Sequence, residues 1–158
     1  MVKQKWKVYT FWIVLCELVG VASGFLSREG IAIYNASAAK PPFAPPSWVF
    51  PIVWTILFAL MGISAARVSL SVPSKLRNWG LNVFIAQLTV NFFWPLFFFN
   101  LQLFGFSLIW LIILWLLVVL TISLFRKIDG AAAWLLTPYL AWLTFAAVLN
   151  GAAWILNG

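Results

Sequence analysis

The sequence predicts an all-α integral membrane protein, a bundle of five transmembrane helices forming one domain over residues 1–158. Two observations predict it. First, 65% of the residues are hydrophobic and 8% are charged, whereas soluble domains average about 45–50% and about 25%. Second, the apolar residues fall into five stretches, each close to the roughly 20 residues that a helix needs to cross a bilayer. The composition excludes a soluble domain, a disordered chain and a nucleic-acid-binding protein.

The first predicted span covers residues 8–26 and follows three lysines within residues 3–7. A basic segment before an apolar run is also typical of a signal peptide, here with small residues for cleavage at 21–23. We favour a retained helix, because the run is nearly as long as a full span and carries Glu17 in its middle.

Residues 27–47 are predicted to form the one long loop, because polar and charged side chains interrupt the apolar pattern there. The loop closes with the proline-rich segment 41–46, which must be extended because proline fixes φ and has no amide donor. Long loops without secondary structure are often functional. This loop is therefore the candidate lid of the bundle.

Proline residues affect two of the other four predicted spans in different ways. Pro51 falls in the first turn of its helix, where a missing N–H costs little, whereas Pro138 is expected to bend its helix. No internal repeat is visible, so an inverted-repeat transporter has no support. The four spans are residues 48–66, 79–99, 103–125 and 131–156.

The basic residues predict the orientation in the membrane. With the N-terminus inside, eight of them lie in inner segments and only Arg28 and Lys40 in outer ones, a clear bias under the positive-inside rule. The loop and the C-terminus are then outside. The eight inner residues are Lys3, Lys5, Lys7, Arg67, Lys75, Arg77, Arg126 and Lys127.

Polar side chains inside the third span allow two interpretations. Gln87, Asn91 and Pro95 are four residues apart and share one helix face. They either hydrogen-bond neighbouring helices, worth about 0.6–2 kcal/mol per bond, or form a wall that faces a ligand. Trp94 flanks the same stripe. The spacing leaves both interpretations open.

Aromatic side chains raise the same question in two other spans. Trp142, Ala146 and Leu149 share one face of the fifth span, where a small residue beside an indole permits either close helix packing or a hollow. Trp54 and Phe58 form an i, i+4 pair in the second span, and packing within the bundle is the more frequent role of such a pair.

The chain has few acidic or metal-binding side chains. Glu17 is the only acid predicted at membrane depth, where it is either a proton or cation site of a small exporter, a neutral group bonded to another helix, or a group at a water-filled entrance. The chain has no histidine, which excludes histidine-held metals, histidine-ligated haem and Ser–His catalysis. We expect no metal and no cofactor.

Three motifs resemble the translocator protein family, also called tryptophan-rich sensory protein or peripheral-type benzodiazepine receptor. They are Pro-Pro-Ser-Trp at 45–48, Trp-Pro-Leu-Phe-Phe at 94–98 and Leu-Thr-Pro-Tyr-Leu-Ala-Trp at 136–142. The resemblance extends over essentially the whole chain and implies five transmembrane helices, usually a homodimer, around a pocket capped by the first loop. It implies these ligand-binding residues: Tyr34, Pro45, Pro46, Trp54, Phe58, Asn91, Trp94, Trp142, Ala146 and Leu149.

The resemblance also implies function. Family members bind porphyrins such as protoporphyrin IX and benzodiazepine-site ligands, and some bacterial members are described as degrading porphyrin in light through a tryptophan pair, here Trp54 and Trp142. The chain departs from the family in having Phe43 where Trp is usual. It also lacks the Tyr and the basic residue that follow Leu149-Asn150 in the cholesterol motif of animal members. The predicted function is porphyrin binding or sensing, with photochemical degradation, or transport of tetrapyrroles or cationic amphiphiles through Glu17, as alternatives.

Overall fold

Five helical segments of the chain are long and apolar enough to cross a membrane, which confirms the predicted fold class. The structure, a computed structural model, describes residues 2–158, and no β-strand occurs among them. The fifth span is divided into two α-helices, so that the α-helices number six, and the third span ends in a π-type turn. The six α-helices are α1 (Val2–Ser37), α2 (Val49–Ser69), α3 (Lys75–Pro95), α4 (Phe104–Arg126), α5 (Gly130–Leu135) and α6 (Thr137–Asn157).

Helix α1 is longer than the first span predicted from hydropathy. The predicted loop over 27–47 is wrong in its first part, because the helix continues to Ser37 and the connection covers only residues 38–48. Polar residues such as Arg28 lower the hydropathy without interrupting the backbone hydrogen bonds of a helix. The first residue that cannot continue those bonds is Pro41. Tyr34 therefore lies on a helix and not in a loop.

The third span ends in a widened helical turn. Pro95 closes α3, and Leu96–Asn100 continue as a single π-type turn, a feature that is frequent at functional sites. At its other end α3 begins at Lys75, four residues before the predicted start, because Ser74 caps it by accepting a hydrogen bond from the amide of Arg77 at 3.0 Å. Such caps satisfy amides that have no partner within the helix.

The fifth span is broken, as Pro138 predicted. Helix α5 ends at Leu135 and α6 begins at Thr137. Proline cannot donate to the carbonyl of Trp134, and the hydroxyl of Thr137 donates to that carbonyl instead, at 2.7 Å. Asp129 caps α5 by accepting from the amide of Ala131 at 3.0 Å.

The two ends of the bundle differ. We call the end that carries the α2–α3 and α4–α5 turns the basic end, where Arg67 and Asp129 form an ion pair at 2.9 Å. The opposite end, which we call the loop end, carries residues 38–48. The side-chain amide of Asn157 pairs with the backbone of Ala39, accepting from its N–H at 3.0 Å and donating to its C=O at 2.9 Å. The C-terminal turn of α6 therefore holds the loop in place.

Candidate functional site

A cavity of about 390 Å³ lies in the half of the bundle nearer the loop end, between α1, α2, α3 and α6 and beneath residues 38–48. Small-molecule sites in proteins usually measure about 300–1,000 Å³. The structure brings nine of the ten predicted ligand-binding residues to its wall. These are Tyr34, Pro45, Trp54, Phe58, Asn91, Trp94, Trp142, Ala146 and Leu149.

Pro46 is the exception, and its prediction as a lining residue is wrong. It is exposed and is not part of the cavity wall. Its carbonyl accepts a hydrogen bond from the amide of Val49 at 3.0 Å, at the entry to α2. Adjacent residues in an extended segment point in opposite directions, so that only Pro45 of this pair reaches the cavity.

Aromatic rings form the wall on the α2 and α6 side. Trp54 is tilted against Phe58 with the ring centroids 5.5 Å apart, and Phe50, one turn earlier on α2, meets the ring of Trp142 at 5.7 Å. On α3, Trp94 stacks on Phe98 of the π-type turn at 5.0 Å. Tryptophans from three helices therefore line one cavity.

The indole N–H groups of Trp94 and Trp142 differ in what they bind. Trp94 Nε1 donates to Asn150 Oδ1 at 3.1 Å. Trp142 Nε1 is buried and has no hydrogen-bond partner among the described residues. A buried donor without an acceptor costs free energy, about 1–3 kcal/mol. The indole N–H of Trp142 is therefore an unsatisfied buried donor, although the residue itself lines the cavity.

The polar stripe of α3 serves chiefly to hold helices together. Asn91 Nδ2 donates to the hydroxyl of Tyr139 at 2.6 Å, and that hydroxyl donates to Gln87 Oε1 at 2.8 Å. All three residues are buried, and only Asn91 also borders the cavity. Sequence reasoning missed Tyr139; a tyrosine hydroxyl within an apolar span was the available signal, because it requires a partner there.

Three small residues on the α1 side of the cavity were also missed. Gly20, Ser23 and Gly24 line the cavity, and an added Cβ at Gly24 would meet no heavy atom within 4 Å. The available signal was the Gly-x-x-x-Gly spacing, which is typical of helices that approach other groups closely. Here the ring of Phe58 lies against Gly20, whereas Gly24 borders empty space.

Two charged side chains border the cavity. Lys40 lines its loop end, with Nζ 5.8 Å from the centroid of the Tyr34 ring. Glu17 lines it from α1, one turn before Gly20, and is partly exposed. In the described part of the chain Glu17 makes no side-chain hydrogen bond or ion pair, so the expected bond to a neighbouring helix is not observed. The cavity is apolar overall, with one cation and one carboxyl group.

Comparisons with known proteins give the family. Residues 12–155 match the model of the TspO/MBR family. The chain is 38% identical over 139 residues to the tryptophan-rich protein TspO of Chlorobaculum tepidum, covering 87% of this chain and 88% of that protein. It is 35% identical over 144 residues to the sheep (Ovis aries) translocator protein, covering 87% and 85%. It is 32% identical over 154 residues to the tryptophan-rich sensory protein of Cereibacter sphaeroides, covering 96% and 92%. The chain therefore belongs to the TspO/MBR family, as the three motifs predicted.

Proposed function

We propose that this protein is a membrane receptor or sensor that binds planar aromatic ligands, namely porphyrins such as protoporphyrin IX and benzodiazepine-site compounds, in the cavity beneath residues 38–48. The observation that carries the proposal is the convergence of Trp54, Trp94 and Trp142 from three helices on one apolar cavity. The names of the relatives, sensory protein and translocator protein, support the same kind of function.

The cavity offers a different interaction to each part of such a ligand. Indole faces stack on a flat ring system, and aromatic pairs add about 0.5–1.5 kcal/mol beyond the burial of area. Lys40 at the loop end suits a carboxylate such as a propionate. Because the chain has no histidine, we expect it to prefer the metal-free ring over haem.

The proposal is tested by titrating the purified protein with protoporphyrin IX in the dark. Binding is measured from the quenching of tryptophan fluorescence. We expect Trp142→Phe, which replaces the indole by a smaller ring with less stacking area, to weaken binding about two- to tenfold. Trp79→Phe is the matched control, because Trp79 is 66% exposed on α3 and lies outside the cavity wall. Equal affinity of the wild type, Trp142→Phe and Trp54→Phe would contradict the proposed site.

We further propose that Trp54 and Trp142 support slow, light-dependent breakdown of the bound porphyrin rather than enzymatic turnover. One indole would give an electron to the photoexcited ring, and the reduced ring would pass that electron to dioxygen to form superoxide. The indole radical cation and superoxide would then together oxidise the ring, which restores the indole and adds the oxygen atoms to the porphyrin. Both residues line the cavity from separate helices. The test is the decay of porphyrin absorbance under illumination in air. If the double variant Trp54→Phe/Trp142→Phe decays as fast as the wild type, this role is wrong.

Transport of tetrapyrroles or cationic amphiphiles is the second candidate function. It is favoured by one observation, that Glu17 lines the same cavity without a polar partner in the described chain. A carboxyl group in an apolar site is a functional candidate, since its desolvation requires compensation. Proton-coupled flux into proteoliposomes that is lost in Glu17→Gln and kept in Trp142→Phe would support transport. Flux equal to that of empty liposomes would exclude it.

The assembly and orientation are also proposals. We propose a homodimer in a bacterial cell membrane, with the basic end inside and residues 38–48 outside, from the family resemblance and the positive-inside bias. Light scattering of the detergent-solubilised protein measures the mass. Reporter fusions at the two termini establish the topology, and the expected result is an inner N-terminus and an outer C-terminus.

A further inference from the structure

We propose that a second groove, at the basic end between α4 and α5, binds an anionic phospholipid. The groove has a volume of about 290 Å³ and shares no residue with the ligand cavity. It is lined by Ile122, Arg126, Gly130, Ala133, Trp134 and Thr137.

The shape of the groove suits an acyl chain. Ile122 lies one turn before Arg126 on α4 and supplies an apolar surface farther from the end of the bundle. On the α5 side the groove is bordered by Gly130 and Ala133, and an added Cβ at Gly130 would meet no heavy atom within 4 Å. Besides Arg126 and Trp134, the groove is lined by one residue with a polar side chain, Thr137. Its hydroxyl already donates to the carbonyl of Trp134. An apolar chain can therefore occupy the groove without leaving a polar group unpaired.

The positive charge at the mouth of the groove is free to bind a partner from outside the protein. Arg126 and Lys127 are exposed and form no ion pair with any residue that the structure describes. The acid that follows them, Asp129, is bonded to Arg67 at 2.9 Å and to the first amides of α5. A lipid phosphate supplies the missing negative charge, and guanidinium groups bind phosphate in two-pronged geometry.

The exposed indole of Trp134 identifies the site as interfacial. Trp134 lines the groove and is 74% exposed. Tryptophan is enriched at the headgroup level of membranes, where an apolar ring meets a polar surface. Basic pockets between transmembrane helices are known to bind anionic lipid headgroups. Indole, guanidinium and apolar groove thus match the headgroup region, the phosphate and the acyl chain of one molecule.

Native mass spectrometry of the detergent-solubilised protein with dioleoyl phosphatidylglycerol or dioleoyl phosphatidylcholine tests the site. We expect phosphatidylglycerol to be retained in preference, and Arg126→Gln to lower its affinity about fivefold, the effect of one basic contact. Gly130→Leu should lower retention of both lipids, because its side chain fills the groove. The fold should tolerate it, since Gly130 faces open space.

Lys75→Gln is the matched control, because Lys75 is an exposed cation at the same end that lies outside the groove. It should leave retention of phosphatidylglycerol unchanged. The proposal is overturned if Lys75→Gln and Arg126→Gln weaken retention equally, or if both lipids are retained equally by the wild type. A second measurement is the midpoint of thermal unfolding in detergent. The proposal is also overturned if inorganic phosphate raises this midpoint as much as phosphatidylglycerol does.

Discussion

The bundle has two halves, one near the basic end and one near the loop end. Both are built from similarly apolar helices, but the first is densely packed and the second is hollow. Near the basic end, Met61, Phe84 and Phe125 are fully buried, and the last two stack with ring centroids 5.9 Å apart. Near the loop end the helices enclose a cavity of about 390 Å³. A dense core on one side thus supports a hollow on the other.

Two glycines, one in each half, illustrate this difference. At Gly62 of α2 the backbone of α1 is so close that an added Cβ would lie 2.5 Å from Ile13 Cα, whereas at Gly24 of α1 an added Cβ would meet nothing. The same residue type therefore closes the bundle in one place and opens it in the other. What differs is the distance of the facing helix.

Substitutions of these two glycines should have the largest effects, one on stability and the other on ligand binding. Gly62→Val forces backbone atoms apart, and we expect it to destabilise the protein by about 1–3 kcal/mol, as overpacking does. Gly24→Val should leave the thermal midpoint nearly unchanged but weaken porphyrin binding, since its side chain enters the cavity. Thermal unfolding in detergent and porphyrin titration measure the two effects. A Gly24→Val protein that is as unstable as Gly62→Val would show that the hollow is not a preformed site.

Tyr139 lies between the two halves, and its hydroxyl is the next target. Tyr139→Phe leaves Asn91 and Gln87 without their shared partner, and we expect a loss of about 1–2 kcal/mol, because buried polar groups would be left unpaired. Thr89→Val is a suitable control, since Thr89 is exposed and its hydroxyl bonds only the carbonyl of Ile85 in its own helix. An unchanged midpoint of thermal unfolding in Tyr139→Phe would mean that Asn91 and Gln87 find other partners.

Substitution of Asp129 should have the smallest effect on stability, and that effect should be confined to the basic end. Burial opposes the charged carboxylate, but hydrogen bonds from Arg67 and the amides of Ala131 and Ala132 outweigh it, so that the pKa of Asp129 is lowered from 3.8. A lowered pKa in the folded state means that the ion pair stabilises the fold above about pH 4 and that this contribution is lost as the pH falls through the folded value. Because Arg67 is 40% exposed, we expect at most about 1 kcal/mol.

Thermal midpoints between pH 3 and pH 7 measure this contribution. The wild type should lose more stability in acid than Asp129→Asn, whose side chain cannot titrate. Porphyrin binding at neutral pH should be the same in both proteins, because Asp129 lies far along the bundle from the cavity and does not line it. Equal acid sensitivity of the two proteins would refute the assignment.

Much of the fold was accessible from local sequence features. Hydropathy located the five spans, and Pro138 located the break between α5 and α6, because a missing amide acts on its own helix. The end of α1 was misplaced because hydropathy reports the fit to lipid and not the continuity of backbone hydrogen bonds. Eleven residues that were expected in the loop, 27–37, are therefore helical.

Of the candidate site, the family resemblance predicted five of the eight aromatic residues on the cavity wall. The other three, Phe50, Phe98 and Phe99, were not predicted as site residues, nor were the small residues of α1 or Tyr139. Composition and the position of Pro138 alone determined a five-span membrane bundle with one distorted helix, because both act within a single segment of chain. Only the tertiary structure decided whether a glycine or a polar side chain meets a neighbour or a hollow. That outcome depends on the distance and identity of groups on another helix, which no single segment contains.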